Sequence, residues 1–372
     1  MKIFRSQSSK AAMVVCLIVV VSLLKMSAFA QQKAFVHPAI LNTKASLDFI
    51  NKQLKNKDSA RTAAYQKVEE FIGRVECPTS FFATVVVGSN GATSPSKSQI
   101  RRDAELVYAL TLAWAHTGKE EYAQKAIGII NGWAYTFKDY DLLNAATNQR
   151  QPGLEASWTT PGFVAAAEIL RYYKVDGKGS GWKEADIAQF KTYLHTVVEN
   201  YINKMPVYNN NWNASQGYAK MAIGIFMDST ALYQEGYETA AKFLPIVIEP
   251  DGHISEYCHR KDCVHFQYSL NAFTYAAELA RLQGDNSLWL LNDQLLSRGY
   301  DYMRKAFDSN AECTYCTANS SVFPGTEIAY RYYKTGNLAY LRALRPPQGT
   351  SQGYIFIGFT TYTHANVPER NQ

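Results

Sequence analysis

Residues 256–270 read EYCHRKDCVHFQYSL, a stretch that gathers Glu256, Tyr257, Cys258, His259, Arg260, Asp262, Cys263, His265 and Tyr268. A helix beginning near Val264 places Phe266, Leu270, Phe273, Ala277 and Ala280 on one apolar stripe. His265 and Tyr268, three apart, then lie side by side on a neighbouring face. Arg260, just upstream, is a permanent cation, and histidine and tyrosine are groups that exchange protons. Together they suit proton transfer beside a bound anion. The plainer alternative is a capped helix start with a surface loop and a partly buried tyrosine.

A second stretch, VYNNNWNASQGYAKMAIG, places Asn210 and Asn211 before Trp212 at another helix start. The free N–H groups of a helix N-terminus favour an anion. Asparagine adds a donor and an acceptor, and Trp212 offers a stacking surface. Taken alone, an asparagine N-cap with a core tryptophan explains the same residues.

Other chemistries find less support. Sugar hydrolysis needs two opposed carboxylates, and Glu155, Asp228, Glu256 and Asp262 form no persuasive pair. There is no GxSxG, phosphate loop, HExxH or dinucleotide fingerprint. CTYC (313–316) is a CxxC with no second CxxC or His pair at ligand spacing, so it reads as a loop staple and not a zinc site. No metal or cofactor is expected.

The elements that must position these residues are helices. In EEYAQKAIGIINGWAYTF, Tyr122, Ala126, Ile129, Ile130, Trp133 and Phe137 recur at helical spacing. IRRDAELVYALTLAWAHTGK repeats the pattern and stops at Gly118. TTPGFVAAAEILRYYKVDG reads as a helix starting at Thr160 before Pro161. ADIAQFKTYLHTVVENYINKM, AKMAIGIFMDSTALYQEG, YETAAKFLPIVIE and WLLNDQLLSRGYDYMRKAF continue the series. ATVVVGS (83–89) and YIFIGFTTY (354–362) are the strand-like exceptions. The chain is therefore all-α, either a solenoid or a toroid of helical hairpins. The lack of a fixed-period repeat disfavours the solenoid.

The first thirty residues read as an export signal. A basic start precedes a short apolar run, and Ala28-Phe29-Ala30 forms a small-x-small cleavage site. Removal takes four basic residues and no acids, so the formal charge falls from +6 to +2. Nucleic acid is thus not an expected partner, nor is a membrane once the signal is cleaved. Residues 31–372 are expected to form one domain that acts as a monomer, periplasmic or secreted. Export permits disulfides. The close pairs are Cys258 with Cys263 and Cys313 with Cys316, leaving Cys77 over.

FVHPAILNTKASLDFI, DAELVYALTLAWAHTGKEEYAQKAIGIINGWA, NNNWNAS and DGHISEYCHRKDCVHFQYSLNAFTYAAELA, in that order, resemble the alginate-lyase superfamily of bacterial polysaccharide lyases. The resemblance implies an α/α toroid, an incomplete barrel of helical hairpins, and cleavage of a uronic-acid polysaccharide by β-elimination. It further implies that Asn210 and Asn211 match the family's Asn-His pair, which neutralises the uronate. Arg260 matches a supporting arginine, and His265 the histidine of an HY-like motif. This chain has Asn211 where many members have His, and Phe266 where they have the acid–base tyrosine. Tyr268 is the substitute, with Tyr257 behind it. Trp158, Trp212, Tyr218 and Tyr257 are the expected sugar-binding aromatics, and Trp133 is a further candidate. The competing classes are a glycoside hydrolase on an α/α toroid and a non-catalytic acidic-glycan-binding protein.

Cleavage after Ala30 is expected to leave an exported protein that begins at Gln31. Intact-mass measurement checks this, and a mass retaining residues 1–30 would contradict it.

Overall fold

The computed structural model describes residues 34–317, 319–344 and 355–368. The expected export signal and its cleavage site lie outside the described residues. The chain opens with β1 (Ala39–Ile40) and β2 (Asn42–Thr43), an antiparallel pair, then α1 (Lys44–Lys55) and α2 (Ser59–Arg74). Next come β3 (Thr84–Val87), α3 (Pro95–Thr117), α4 (Glu120–Thr136), β4 (Asp139–Leu142), α5 (Gln151–Tyr172) and α6 (Glu184–Val197), the last extended by a π-turn at Val198–Ile202. There follow α7 (Asn211–Phe226), α8 (Thr230–Val247), α9 (Glu256–Arg260), α10 (His265–Leu282), α11 (Ser287–Phe307), α12 (Gly325–Tyr333), α13 (Gly336–Ala343) and α14 (Thr360–His364). β3 pairs in parallel with β4.

Two helix compositions sort these elements into two layers. In α3 every residue from Asp103 to Ala115 is buried, as is every residue of α5 from Gln151 to Leu170. The same holds for α7 from Asn213 onward and for α10 from Ser269 to Ala280. A helix apolar on all sides must be surrounded. These helices pack in series, α3 on α5, α5 on α7, α7 on α10 and α10 on α12, and form the inner ring. The helices between them bury one stripe each: Ile187, Phe190, Tyr193, Leu194 and Val197 in α6, and Gly236, Ala240, Phe243, Leu244 and Val247 in α8. They form the outer layer. Short α14 packs on α12, α1 and α2 and so closes the ring. Arg61 of α2 fixes that closure by donating to the carbonyls of Tyr362 and Ala365, and to Thr361 at 3.1 Å. The expected all-α toroid is the architecture found.

Charges inside the ring are paired. Glu278 meets Arg281 at 2.7 Å and Arg331 at 3.1 Å. Burial alone would raise its pKa, but the two guanidinium groups hold it down at about 2. An unpaired carboxylate at such depth would cost several kcal/mol.

Several local expectations are corrected. α5 does not start at Thr160 but runs from Gln151 through Pro161. It is buried on every side, so packing outweighs the hydrogen bond that proline removes. AKMAIGIFMDSTALYQEG is not one helix. Asp228 takes a left-handed conformation, and Ser229 caps α8 by accepting from Leu232 N at 3.3 Å. WLLNDQLLSRGYDYMRKAF is interrupted at Leu291–Gln294. The strand expected at 354–362 is absent among the described residues of that segment. Ile355, Phe356, Ile357 and Phe359 are buried, and α14 begins at Thr360. The other strand is present as β3, and Gly118 ends α3 at φ 69° as its sequence foretells.

Helices α7 and α8 approach each other backbone to backbone. A Cβ at Gly236 would lie 2.6 Å from both the Gly217 carbonyl and Met221 N. Backbone cannot retreat as a side-chain tip can. Gly236→Ala is expected to destabilise the protein by about 1–3 kcal/mol, the usual cost of overpacking. Thermal unfolding checks this, and an unchanged Tm would show that the two helices separate freely.

Candidate active site

The N-terminal turns of the inner helices meet one another, and the candidate residues stand there. Asp262 builds the start of α10. Its Oδ1 accepts from Val264 N and His265 N, each at 2.9 Å. Its Oδ2 lies 2.6 Å from His265 Nδ1. The other imidazole nitrogen, Nε2, lies 3.1 Å from Arg260 Nη2. Arginine can only donate, so Nε2 accepts, Nδ1 carries the proton toward Asp262, and His265 is neutral. Its pKa is lowered by burial and by Arg260, although Asp262 opposes the shift.

The tyrosine stands beside this relay. The rings of His265 and Tyr268 meet edge to face at 5.5 Å, as their spacing predicted. Tyr268 also packs against Trp158 at 5.2 Å, Phe323 at 5.2 Å and Phe356 at 6.0 Å. Burial pushes its pKa up to about 12, while the positive charge of Arg101 pulls it down. No hydrogen bond to another described residue engages its hydroxyl.

Arg260 is exposed, and its Nη2 also lies 3.3 Å from Asn90 Oδ1 across the groove. Asn90 sits in a left-handed turn. The Lys97 ammonium shapes that turn by donating to the Gly88 and Ala92 carbonyls at 2.8 and 2.7 Å. Two disulfides flank Arg260, Cys258–Cys313 and Cys263–Cys316. The expected Cys258–Cys263 and Cys313–Cys316 pairs are therefore wrong. Neighbouring cysteines face a segment more than fifty residues away, and each bridge ties the 256–264 loop to the 313–316 loop. Cys77 is free, as expected.

Asn210 and Asn211 begin α7 in different roles. Asn210 Oδ1 caps the helix by accepting from Trp212 N at 3.0 Å. Asn211 is buried, and it donates through Nδ2 to Glu256 Oε1 at 2.7 Å and through its backbone N to Oε2 at 3.1 Å. Ser269 Oγ donates to the same carboxylate at 2.6 Å. Burial raises the Glu256 pKa, and these donors oppose it.

Trp212 is half-buried and meets Tyr208 edge to face at 4.6 Å. Trp158 is nearly buried and donates to Ser215 Oγ at 3.0 Å. Two expected sugar-binding aromatics are corrected. Tyr218 is fully buried against Tyr275 at 5.3 Å. Tyr257 is fully buried and pins the disulfide loop. Its hydroxyl accepts from Tyr315 N at 2.8 Å and Cys316 N at 3.1 Å and donates to Cys313 O at 3.1 Å. Neither ring has a face left for a sugar. Trp133 is likewise core, donating to Asp103 Oδ2 at 3.0 Å.

The family model for alginate lyase matches residues 55–312, more than half of the chain and the span that holds every candidate residue. The chain belongs to the alginate lyase family. It is thus a polysaccharide lyase with the toroid that its sequence pattern implied. Among solved structures, alginate lyase A1-III from Sphingomonas species A1 is 15% identical with a TM-score of 0.66, over 89% of this chain and 97% of that one. An alginate lyase from Bacteroides ovatus is 13% identical with a TM-score of 0.67, over 90% of this chain and 100% of that one. A substituted form of A1-III was solved complexed with tetrasaccharide, and it aligns at 15% identity and a TM-score of 0.66 over 92% and 99% of the two chains. Such distant likenesses speak for the fold. Among curated protein sequences none is recognisably similar.

Sequence reasoning missed Arg101, Asn90 and the partner of Glu155. Arg101 forms a bidentate pair with Glu155, Nη2 to Oε2 at 2.5 Å. The one visible signal was a charged pair, Arg101-Arg102, ahead of the apolar run that begins at Leu106.

Peptide mapping without reduction is expected to join Cys258 to Cys313 and Cys263 to Cys316. Cys263→Ser with Cys316→Ser is expected to cost about 2–4 kcal/mol of stability. It should also lower kcat by about tenfold or more, because Arg260 loses one of its two anchors. Unchanged kcat in the folded variant would show that Arg260 needs no such anchor.

Proposed function

We propose that this polysaccharide lyase cleaves alginate through the residues gathered at the starts of α7 and α10. Arg260 and the Asn210 amide face the uronate carboxylate at the positive end of α7. Neutralising that charge makes the C5 proton more acidic and stabilises the enolate-like transition state. Tyr268 takes the C5 proton. The C5–H electron pair becomes the C4–C5 double bond, the C4–O4 bond breaks, and O4 leaves with a proton. One tyrosine serves both steps when C5–H and O4 lie on one face. His265 holds Arg260 and packs on the tyrosine ring. Its Nε2 lone pair is occupied, which supports Tyr268 as the proton-transfer group.

The observation that carries this reading is the arrangement of Tyr268, whose hydroxyl is engaged by no other described residue, beside the Arg260–His265–Asp262 relay. The hydrolase alternative loses support because its acids are occupied. Arg101 holds Glu155, His37 meets Asp228, His265 holds Asp262, and Asn211 with Ser269 holds Glu256. Trp212, half-buried, is the remaining sugar-stacking candidate, with the nearly buried Trp158 behind it. The paired disulfides support export to an oxidising compartment. Among the described residues no helix is long and apolar enough to cross a membrane.

Incubation with alginate is expected to generate the ultraviolet absorbance of a C4–C5 double bond. New reducing ends without absorbance would mean hydrolysis instead. Tyr268→Phe keeps the ring and removes the hydroxyl. It is expected to lower kcat by about 10²-fold or more with little change in Tm. Near-normal kcat would take Tyr268 out of the chemistry.

A further inference from the structure

A tyrosine buried enough to hold its proton up to about pH 12 is a poor base at neutral pH unless a cation faces it. The groups that act on Tyr268 come from three elements. Arg101 stands on α3 and Glu155 on α5. Asp262 and His265 stand at the start of α10, with Arg260 behind His265. Arg260 spends its near guanidinium nitrogen on His265 and Asn90. Arg101 is differently placed. Its guanidinium lies 5.4 Å from the centre of the Trp158 ring, and Tyr268 packs against that same indole at 5.2 Å. The fully buried Glu155 carboxylate grips Arg101 through two parallel hydrogen bonds, so the cation cannot swing into solvent.

We propose that Arg101 is a positioning residue of the reaction, a cation clamped by Glu155 against Trp158 that stabilises the Tyr268 phenolate while the C5 proton is held there. This rests on the reading of Tyr268 given above. Arg260 is left to the substrate carboxylate, so two arginines divide two negative charges that form close together. Glu155 belongs to the same device as the group that fixes the cation.

The test is the pH profile of kcat/KM on alginate. Arg101→Gln combined with Glu155→Gln removes the cation together with the weaker, opposing carboxylate, and so leaves no lone buried charge. The rising limb is expected to move to higher pH by about one unit or more, with about tenfold lower kcat/KM at a fixed pH on that limb. Arg101→Lys keeps the charge and is expected to retain a limb near that of the parent. A double variant whose profile superimposes on the parent's would overturn the proposal, as would Arg101→Lys moving the limb as far as the double variant does. Should the double variant not fold, Arg101→Lys is judged against the parent, and a limb moved up by about one unit or more would overturn the proposal. Tyr268→Phe separates the two ideas. If it is inactive while the arginine variants keep the parent profile, Arg101 alone is misassigned. If it retains activity, the Tyr268 reading falls and this proposal falls with it.

Discussion

The constraint on which the structure depends is that the inner helices are buried on every face. A charge can stand along such a helix only if another group pairs it, as Arg281 and Arg331 pair Glu278. Chemistry that must reach a substrate is therefore pressed to the helix ends. The inner helices alternate with outer ones and run in one direction, so their N-termini collect at one mouth. Contacts between their N-terminal turns record this. Arg101 of α3 meets Glu155 of α5, Trp158 of α5 meets Ser215 of α7, and Ser269 of α10 shares Glu256 with Asn211 of α7. Gly325 at the start of α12 donates to Asn271 of α10 at 2.6 Å. The positive ends of several helix dipoles thus face one groove, a setting suited to a polyanion.

The loop that carries Arg260 solves a second problem. Its central residues 259–261 are exposed, so packing alone would leave the arginine mobile. The two disulfides on either side of Arg260 close loops spanning 55 and 53 residues of sequence. In the chain-entropy account, closing one loop of that length disfavours the unfolded chain by about 4 kcal/mol. Tyr257 completes the clamp from below by engaging three backbone groups of the facing loop. A residue expected to bind sugar thus holds the frame of Arg260.

Asn211 shows how a motif keeps its place and changes its contacts. Where many family members carry histidine, this chain has a buried asparagine tied to Glu256. Glu256 also receives Ser269, which adjoins Tyr268. The asparagine therefore links the α7 start to the α10 start, and Asn210 is left as the more accessible amide.

The sequence alone determined the fold class and singled out the neighbourhood of the candidate site. Continuous apolar helices at 3.6 periodicity leave little alternative to a layered all-α barrel. The density of ionisable groups in 256–270 marked one helix mouth, and the three-residue spacing of His265 and Tyr268 set them side by side. Tertiary structure decided everything that depends on which distant segment arrives opposite. Cysteine pairing, the burial of Tyr218 and Tyr257, the passage of α5 through Pro161 and the meeting of Arg101 with Glu155 are all of this kind. Local spacing fixes which face of a helix a residue takes. Ring closure fixes what that face meets, and no periodicity encodes a contact between residues fifty positions apart.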